Sequence, residues 1–127
     1  TLDNKNYMNS YTCTEVVTTE HTAKIMASGN LLVYATPAMV AFMEYTACRC
    51  IDDRLKDNED SVGIEINVKH LKALSVGKKV ICTASITNIE GRKIEFDIQV
   101  TDESNNLIGT ATHTRFIIDT ERFLAKL

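Results

Sequence analysis

No CxxC pair occurs in this chain, although it holds four cysteines, Cys13, Cys48, Cys50 and Cys82. Cys48 and Cys50 lie two apart in a stretch that reads as helix, so they point about 200° away from each other. That spacing suits neither a shared metal ion nor a mutual disulfide, and no metal site is expected. No signal peptide is visible, so four reduced thiols in a cytoplasmic protein is the expected state. No apolar run reaches the ~18 residues of a conventional spanning helix, so no membrane partner is expected. An excess of basic residues is missing too. Lys and Arg number 14 against 17 Asp and Glu, a formal net charge of -3. That balance argues against a nucleic-acid or anionic-membrane surface, yet it allows one local Lys/Arg cluster to meet an anionic ligand. Nothing matches GxGxxG, a Walker loop, HExxH or a G-x-S-x-G elbow.

What is present is a chain with 44% apolar residues, enough for a real core. Its 127 residues and one dominant helix predict a single domain, residues 1–127. That helix is Thr36 to Leu55, TPAMVAFMEYTACRCIDDRL. Thr36 reads as the N-cap and Pro37 as the first helical residue. An unbroken apolar run follows from Ala38 to Met43, and no Gly or Pro returns until Gly63. Val40, Ala47, Ile51 and Leu55 share one side at helical spacing, with Met43 beside them and Glu44 in the middle. Glu44 is thus expected on the best-buried face, where a carboxylate needs a partner or takes up a proton.

Ahead of the helix, residues 1 to 10 are polar and read as loose. Tyr11 to His21 is rich in β-branched residues and reads as extended. Thr22 to Asn30 allows a helical turn ended by Gly29, and Leu31 to Ala35 is a short apolar approach. After the helix the period changes from 3.6 to 2. Val62, Ile64, Ile66, Val68 and His70 alternate with polar neighbours as one strand face. Gly77 marks a turn, and Glu90-Gly91 a hairpin. Strands then run through Val80 to Thr87, Ile94 to Thr101 and Leu107 to Ile118, with a turn at Asp102 to Asn106. Asp119 to Leu127 reads as a short helical turn or an edge-packed tail. A helix apolar over much of its surface asks for a cover on more than one side. The expected architecture is α+β: one long curved antiparallel sheet wrapped around a central helix, with edge strands that favour a dimer.

The candidate chemistry lies on this frame. If the face of Val62 to His70 packs on the helix, His70 points into the same interior as Glu44. An imidazole and a carboxylate there suit general-base chemistry; the plain alternative is a core histidine and a solvent-reaching glutamate. Thr36 either caps the helix or holds its hydroxyl near a substrate carbonyl, where the helix N-terminus adds positive potential. Gly63 marks either a bulge or a close approach of a ligand to the backbone. His113 and Arg115 alternate with Ala111 and Ile117 and face a pocket edge or a neighbouring subunit.

The order of these pieces resembles a known group. An extended segment, VYATPAMVAFMEYTA, then SVGIEINVKHLKALSVGKKV, then a closing THTRF resembles the hot-dog fold acyl-CoA thioesterases. It is most similar to the fluoroacetyl-CoA thioesterase-like group, over about residues 12 to 118. The resemblance implies a hot-dog fold and hydrolysis of a small or medium acyl-CoA thioester, with no cofactor beyond the coenzyme A of the substrate. It implies Thr36, Glu44 and His70 as catalytic residues and Gly63 as the glycine placing backbone beside the thioester. It also implies a homodimer or dimer of dimers, with the site where two protomers meet. The fluoroacetate-specific member lines its pocket with phenylalanines just before the helix. Met26-Ala27-Ser28-Gly29-Asn30 has none, so the resemblance carries over thioester hydrolysis in general but not fluoroacetyl specificity, and it names no natural acyl group. Exposed Lys69, Lys72, Lys78, Lys79 and Arg92 are candidates to meet CoA phosphates. A non-catalytic acyl-thioester binding module and, behind it, a hot-dog dehydratase are the competing readings.

Overall fold

A computed structural model describes residues 6–127. The first half of the stretch read as loose, residues 1–5, lies outside the described residues; its end, Ser10, already belongs to a strand. The order of elements is β1 (Ser10–Val16), α1 (Thr36–Cys50), β2 (Glu59–His70), β3 (Lys79–Glu90), β4 (Lys93–Asp102), β5 (Leu107–Asp119) and α2 (Thr120–Ala125). Single 3-10 turns at Thr19–His21 and Asp52–Arg54 join them. Between Thr22 and Ala35 the chain makes turns, then extends; Thr22 bridges Tyr34, and Val33 bridges Ser75.

The strands form one antiparallel sheet in the order β1-β3-β4-β5-β2. Hairpins set the β3-β4-β5 centre, with Gly91 at φ 62 in the first turn, where a side chain would be strained. β2 precedes β3 in sequence but lies at the far edge, paired with β5.

The expected wrapping does not occur. The sheet is open, with β1 and β2 as its two edges, and α1 lies along one face. The reason is the helix itself. Ala38, Met39, Phe42, Met43, Thr46, Ala47 and Cys50 form one buried stripe, while Pro37, Ala41 and Tyr45 on the other side are exposed. A helix with one buried stripe is satisfied by a sheet on one side, without closure. The α+β class and the central helix stand as expected.

This stripe packs on inward side chains of the central strands, among them Val80, Cys82, Ala84, Ile94, Phe96, Ile98, Val100 and Ile108. Full burial of an aliphatic or aromatic side chain is worth about 1.5–3 kcal/mol.

Three local expectations are corrected. The N-cap is Ala35, in extended conformation and without a side-chain cap bond, so Thr36 is the first helical residue. Glu44 lies at the margin of the buried stripe, not in its middle, and its side chain is 41% exposed. The stripe runs through Met39 and Met43, one position away from Val40 and Glu44. In β2 the pairing with β5 shifts register between Gly63 and Glu65. A bulge adds one residue and reverses the alternation. Ser61, buried, and Gly63, itself exposed, therefore share the side toward Glu44 and Arg115 before it, and Ile66 and Val68 pack on the core after it, while Ile64 is exposed.

Candidate active site

The first turn of α1 meets the last residue of β2. Thr36 Oγ1 lies 2.8 Å from His70 Nδ1. The hydroxyl is free for this contact because Thr36 does not cap its helix. The His70 ring also meets Tyr34 edge-on, with centroids 6.0 Å apart. Its Nε2 is buried and has no hydrogen-bond partner among the described residues. Burial lowers the His70 pKa from the ordinary 6.5, with the Lys72 backbone pulling the other way. A neutral imidazole is thus favoured, and Nδ1 is placed to take the hydroxyl proton. The pair opens on a groove of about 320 Å³, lined also by Ala23, Ser28, Val33 and Lys72.

A second cluster sits where β2 and β5 pass the middle of α1. A Cβ added to Gly63 would lie 3.0 Å from Glu44 Oε2, 3.2 Å from Arg115 Nη1 and 3.2 Å from His113 Cε1. Three side chains thus converge on space that only glycine leaves open. Arg115 and His113 are both more than nine-tenths buried. Arg115 donates from Nε to Ser61 Oγ at 2.8 Å, from Nη2 to the Ser61 carbonyl at 3.0 Å, and from Nη1 to His113 Nε2 at 3.2 Å. His113 Nδ1 is 2.8 Å from the Glu65 carbonyl, which fixes the proton on that nitrogen and leaves Nε2 as acceptor. Burial lowers the His113 pKa; the Glu65 carbonyl opposes this, Arg115 adds to it, and Glu44 opposes it. Glu44 Oε2 lies 3.9 Å from Arg115 Nη1, an ion-pair distance rather than a hydrogen bond.

The four residues singled out in the sequence therefore fall in two groups. Thr36 and His70 touch, and Glu44 and Gly63 are neighbours. Eight residues of helix separate Thr36 from Glu44 by about 12 Å. Seven residues of strand put roughly 20 Å between Gly63 and His70. Within one chain, Glu44 does not face His70. Arg115 and His113 were left open as edge or interface residues. Their phase with Ala111 was a usable signal for an inward direction, but their meeting with Glu44 depends on β5 pairing with β2. Among the described residues no cluster of His, Cys, Asp or Glu fits a metal ion. No helix among them is long and apolar enough to cross a membrane.

A five-stranded open antiparallel sheet on one central helix is the arrangement of a hot-dog-like α+β protein. Comparison with known proteins places it further. The family model described as fluoroacetyl-CoA-specific thioesterase, FlK, matches residues 17–121, and the chain belongs to this family. It is 36% identical over 95 residues to the fluoroacetyl-CoA thioesterase of Streptantibioticus cattleyicolor, covering 75% of this chain and 68% of that protein. A solved structure of the fluoroacetyl-CoA thioesterase FlK superposes with a TM-score of 0.88 at 30% identity, covering 98% of this chain and 96% of the other. A thioesterase superfamily member from Thermus thermophilus gives a TM-score of 0.86 at 26% identity, over 95% and 89% of the two chains.

Proposed function

We propose that this protein hydrolyses the thioester of a small or medium acyl-CoA to the free acid and CoA. The observation that carries this reading is the 2.8 Å contact between the Thr36 hydroxyl and His70, in a chain of the fluoroacetyl-CoA-specific thioesterase family. His70 takes the hydroxyl proton as Thr36 Oγ1 attacks the thioester carbonyl. The C–S bond then breaks, and the CoA thiolate leaves with that proton. A water activated by a carboxylate releases the acid and restores the hydroxyl. The first-turn N–H groups of α1 and its positive end favour the oxyanion.

Glu44 and Gly63 are too far from Thr36 to serve the same thioester within one protomer. The reading therefore pairs the Thr36–His70 half of one protomer with the Glu44–Gly63 half of its partner in a homodimer. Ala23 and Ser28 beside the Thr36–His70 pair leave room for an acyl group larger than acetyl. Lys72 lines the same groove and is the basic residue best placed for the CoA arm. The whole chain reads as one domain, with its core at about residues 12–118. Its compartment is the cytoplasm, where thiols stay reduced.

Thiol release from acyl-CoAs ranging from acetyl to long-chain and aromatic tests this directly. Turnover lost in Thr36→Ala, His70→Ala and Glu44→Gln supports the enzyme. Tight acyl-CoA binding without thiol release supports a binding module instead. Wild-type turnover in all three variants removes the site assignment.

A further inference from the structure

We infer that Arg115 is a positioning residue for Glu44, held in place by Ser61 and His113, and that Gly63 exists to let these groups meet. The inference rests on the reading that Glu44 acts on bound substrate. The geometry is unusual for a merely structural arginine. A guanidinium more than nine-tenths buried is costly unless its donors are used. Here Nε and Nη2 are spent on Ser61, and Nη1 on a neutral imidazole. His113 is itself locked by the Glu65 carbonyl and by stacking on Phe96, with centroids 5.9 Å apart. These three hydrogen bonds fix the guanidinium plane without neutralising its charge. Among the described residues, the anionic group at ion-pair distance is the carboxylate of Glu44, at 3.9 Å.

That carboxylate is 41% exposed and lies at the margin of α1's buried stripe. Left alone, a glutamate side chain there samples several rotamers. A rigid cation on one side narrows that choice. Arg115 supplies no proton and no bond to the reaction; it acts through Glu44. The bulge after Gly63 contributes by turning Ser61 and Gly63 toward Glu44 and Arg115, which brings the Ser61 acceptors to the guanidinium. With any side chain at Gly63, the Cβ would occupy the space between Arg115 and Glu44.

The test is a double-mutant cycle on thiol release, with kcat and KM read separately, using the acyl-CoA that the wild type turns over best. Glu44→Gln, Arg115→Gln, their combination, Arg115→Lys and His113→Gln are compared. Arg115→Gln is expected to lower kcat by roughly 10²-fold, the cost of a misplaced catalytic group, with KM within about threefold of wild type. In the Glu44→Gln background the same change is expected to cost nothing further, because the group it positions is gone. His113→Gln is expected to lower kcat less than Arg115→Gln, and Arg115→Lys to recover part of the loss. Should Arg115→Gln fail to fold, Arg115→Lys and His113→Gln each carry the same comparison against Glu44→Gln. Additive losses in the double variant overturn the inference, since Arg115 then acts independently of Glu44. Wild-type kcat in Arg115→Gln, beside a crippled Glu44→Gln, overturns it as well. Full activity in Glu44→Gln instead overturns the underlying assignment of Glu44.

Discussion

The hydroxyl of Thr36 and Nδ1 of His70 lie 2.8 Å apart, joining the first turn of α1 to the end of β2. In the folded chain this hydroxyl contacts the imidazole and does not cap the helix. A threonine before a proline at a helix start ordinarily caps the helix, yet here Ala35 stands at the cap position and no side-chain cap bond forms. The hydroxyl is left to face an imidazole whose pKa burial lowers.

A capping threonine costs about 0.5–2 kcal/mol when removed. Since Thr36 does not cap, Thr36→Ala is expected to leave stability within about 0.5 kcal/mol of wild type, outside the range of a lost cap. Thiol release, by contrast, is expected to fall by roughly 10²–10⁴-fold, the scale of lost acid–base assistance. Thr36→Ser retains the hydroxyl and should retain most activity. Thermal melts beside kinetics check both halves. A large drop in melting temperature with intact kcat would return Thr36 to a structural duty.

Gly63→Ala probes the second cluster. The added Cβ falls 3.0 Å from Glu44 Oε2 and 3.2 Å from Arg115 Nη1, tighter than ordinary contacts. We expect kcat to drop at least about tenfold as Glu44 is displaced. The stability loss should be of order 1 kcal/mol, since Glu44 is half exposed and yields. Unchanged kinetics would show that the space above Gly63 has no part in the reaction.

Gly109→Ala tests the packing of α1 on the sheet. Its Cβ would lie 2.5 Å from Met39 Sδ and 3.0 Å from the Lys69 carbonyl. The thioether can swing away only into a full core, since Met39 is completely buried, and the carbonyl is fixed in β2. Overpacking of this kind costs about 1–3 kcal/mol. Denaturant unfolding should show the loss with little change in the m-value.

Histidine titration predicts an acid-side loss of stability. His70 and His113 both have pKa values below the ordinary 6.5 in the fold, chiefly through burial. The unfolded chain therefore binds more protons than the native one just below pH 6.5, and stability falls as pH drops through that window. Where only the unfolded form is protonated, the loss approaches about 1.4 kcal/mol per pH unit per histidine. Melting temperatures between pH 7.5 and 5.5 should decline, and His113→Gln should flatten the slope. A second decline is expected below about pH 4, as pH falls from the ordinary carboxylate value through the lowered ones. Asp102 is held below its usual value by the Asn106 side chain, and Asp119 by the Arg122 backbone N–H. A flat profile from pH 7.5 to 5.5 would refute the neutral state of the two imidazoles.

Much of this protein was legible in one dimension. Thr36-Pro37 announced the helix start within one residue, because φ at proline is fixed by its own ring. The period-2 alternation of Ile94, Phe96, Ile98 and Val100 marked β4, and Gly91 marked its hairpin, because both are properties of neighbouring residues. The family was legible in the same local strings, and the family model matches most of them. What the tertiary structure alone decided are relations between distant segments. The pairing of β2 with β5 joins residues some fifty positions apart and sets the bulge that turns Ile64 outward and Gly63 toward Glu44 and Arg115. The same pairing carries Arg115 and His113 beneath Glu44, and α1's single buried stripe leaves the sheet open. A bulge costs one unpaired residue and leaves no local mark beyond a glycine, so its place is fixed by partner strands. Helix and strand periods are set by backbone sterics and are written locally. Which faces meet is set by burial over the whole chain, and that appears only once the chain has closed on itself.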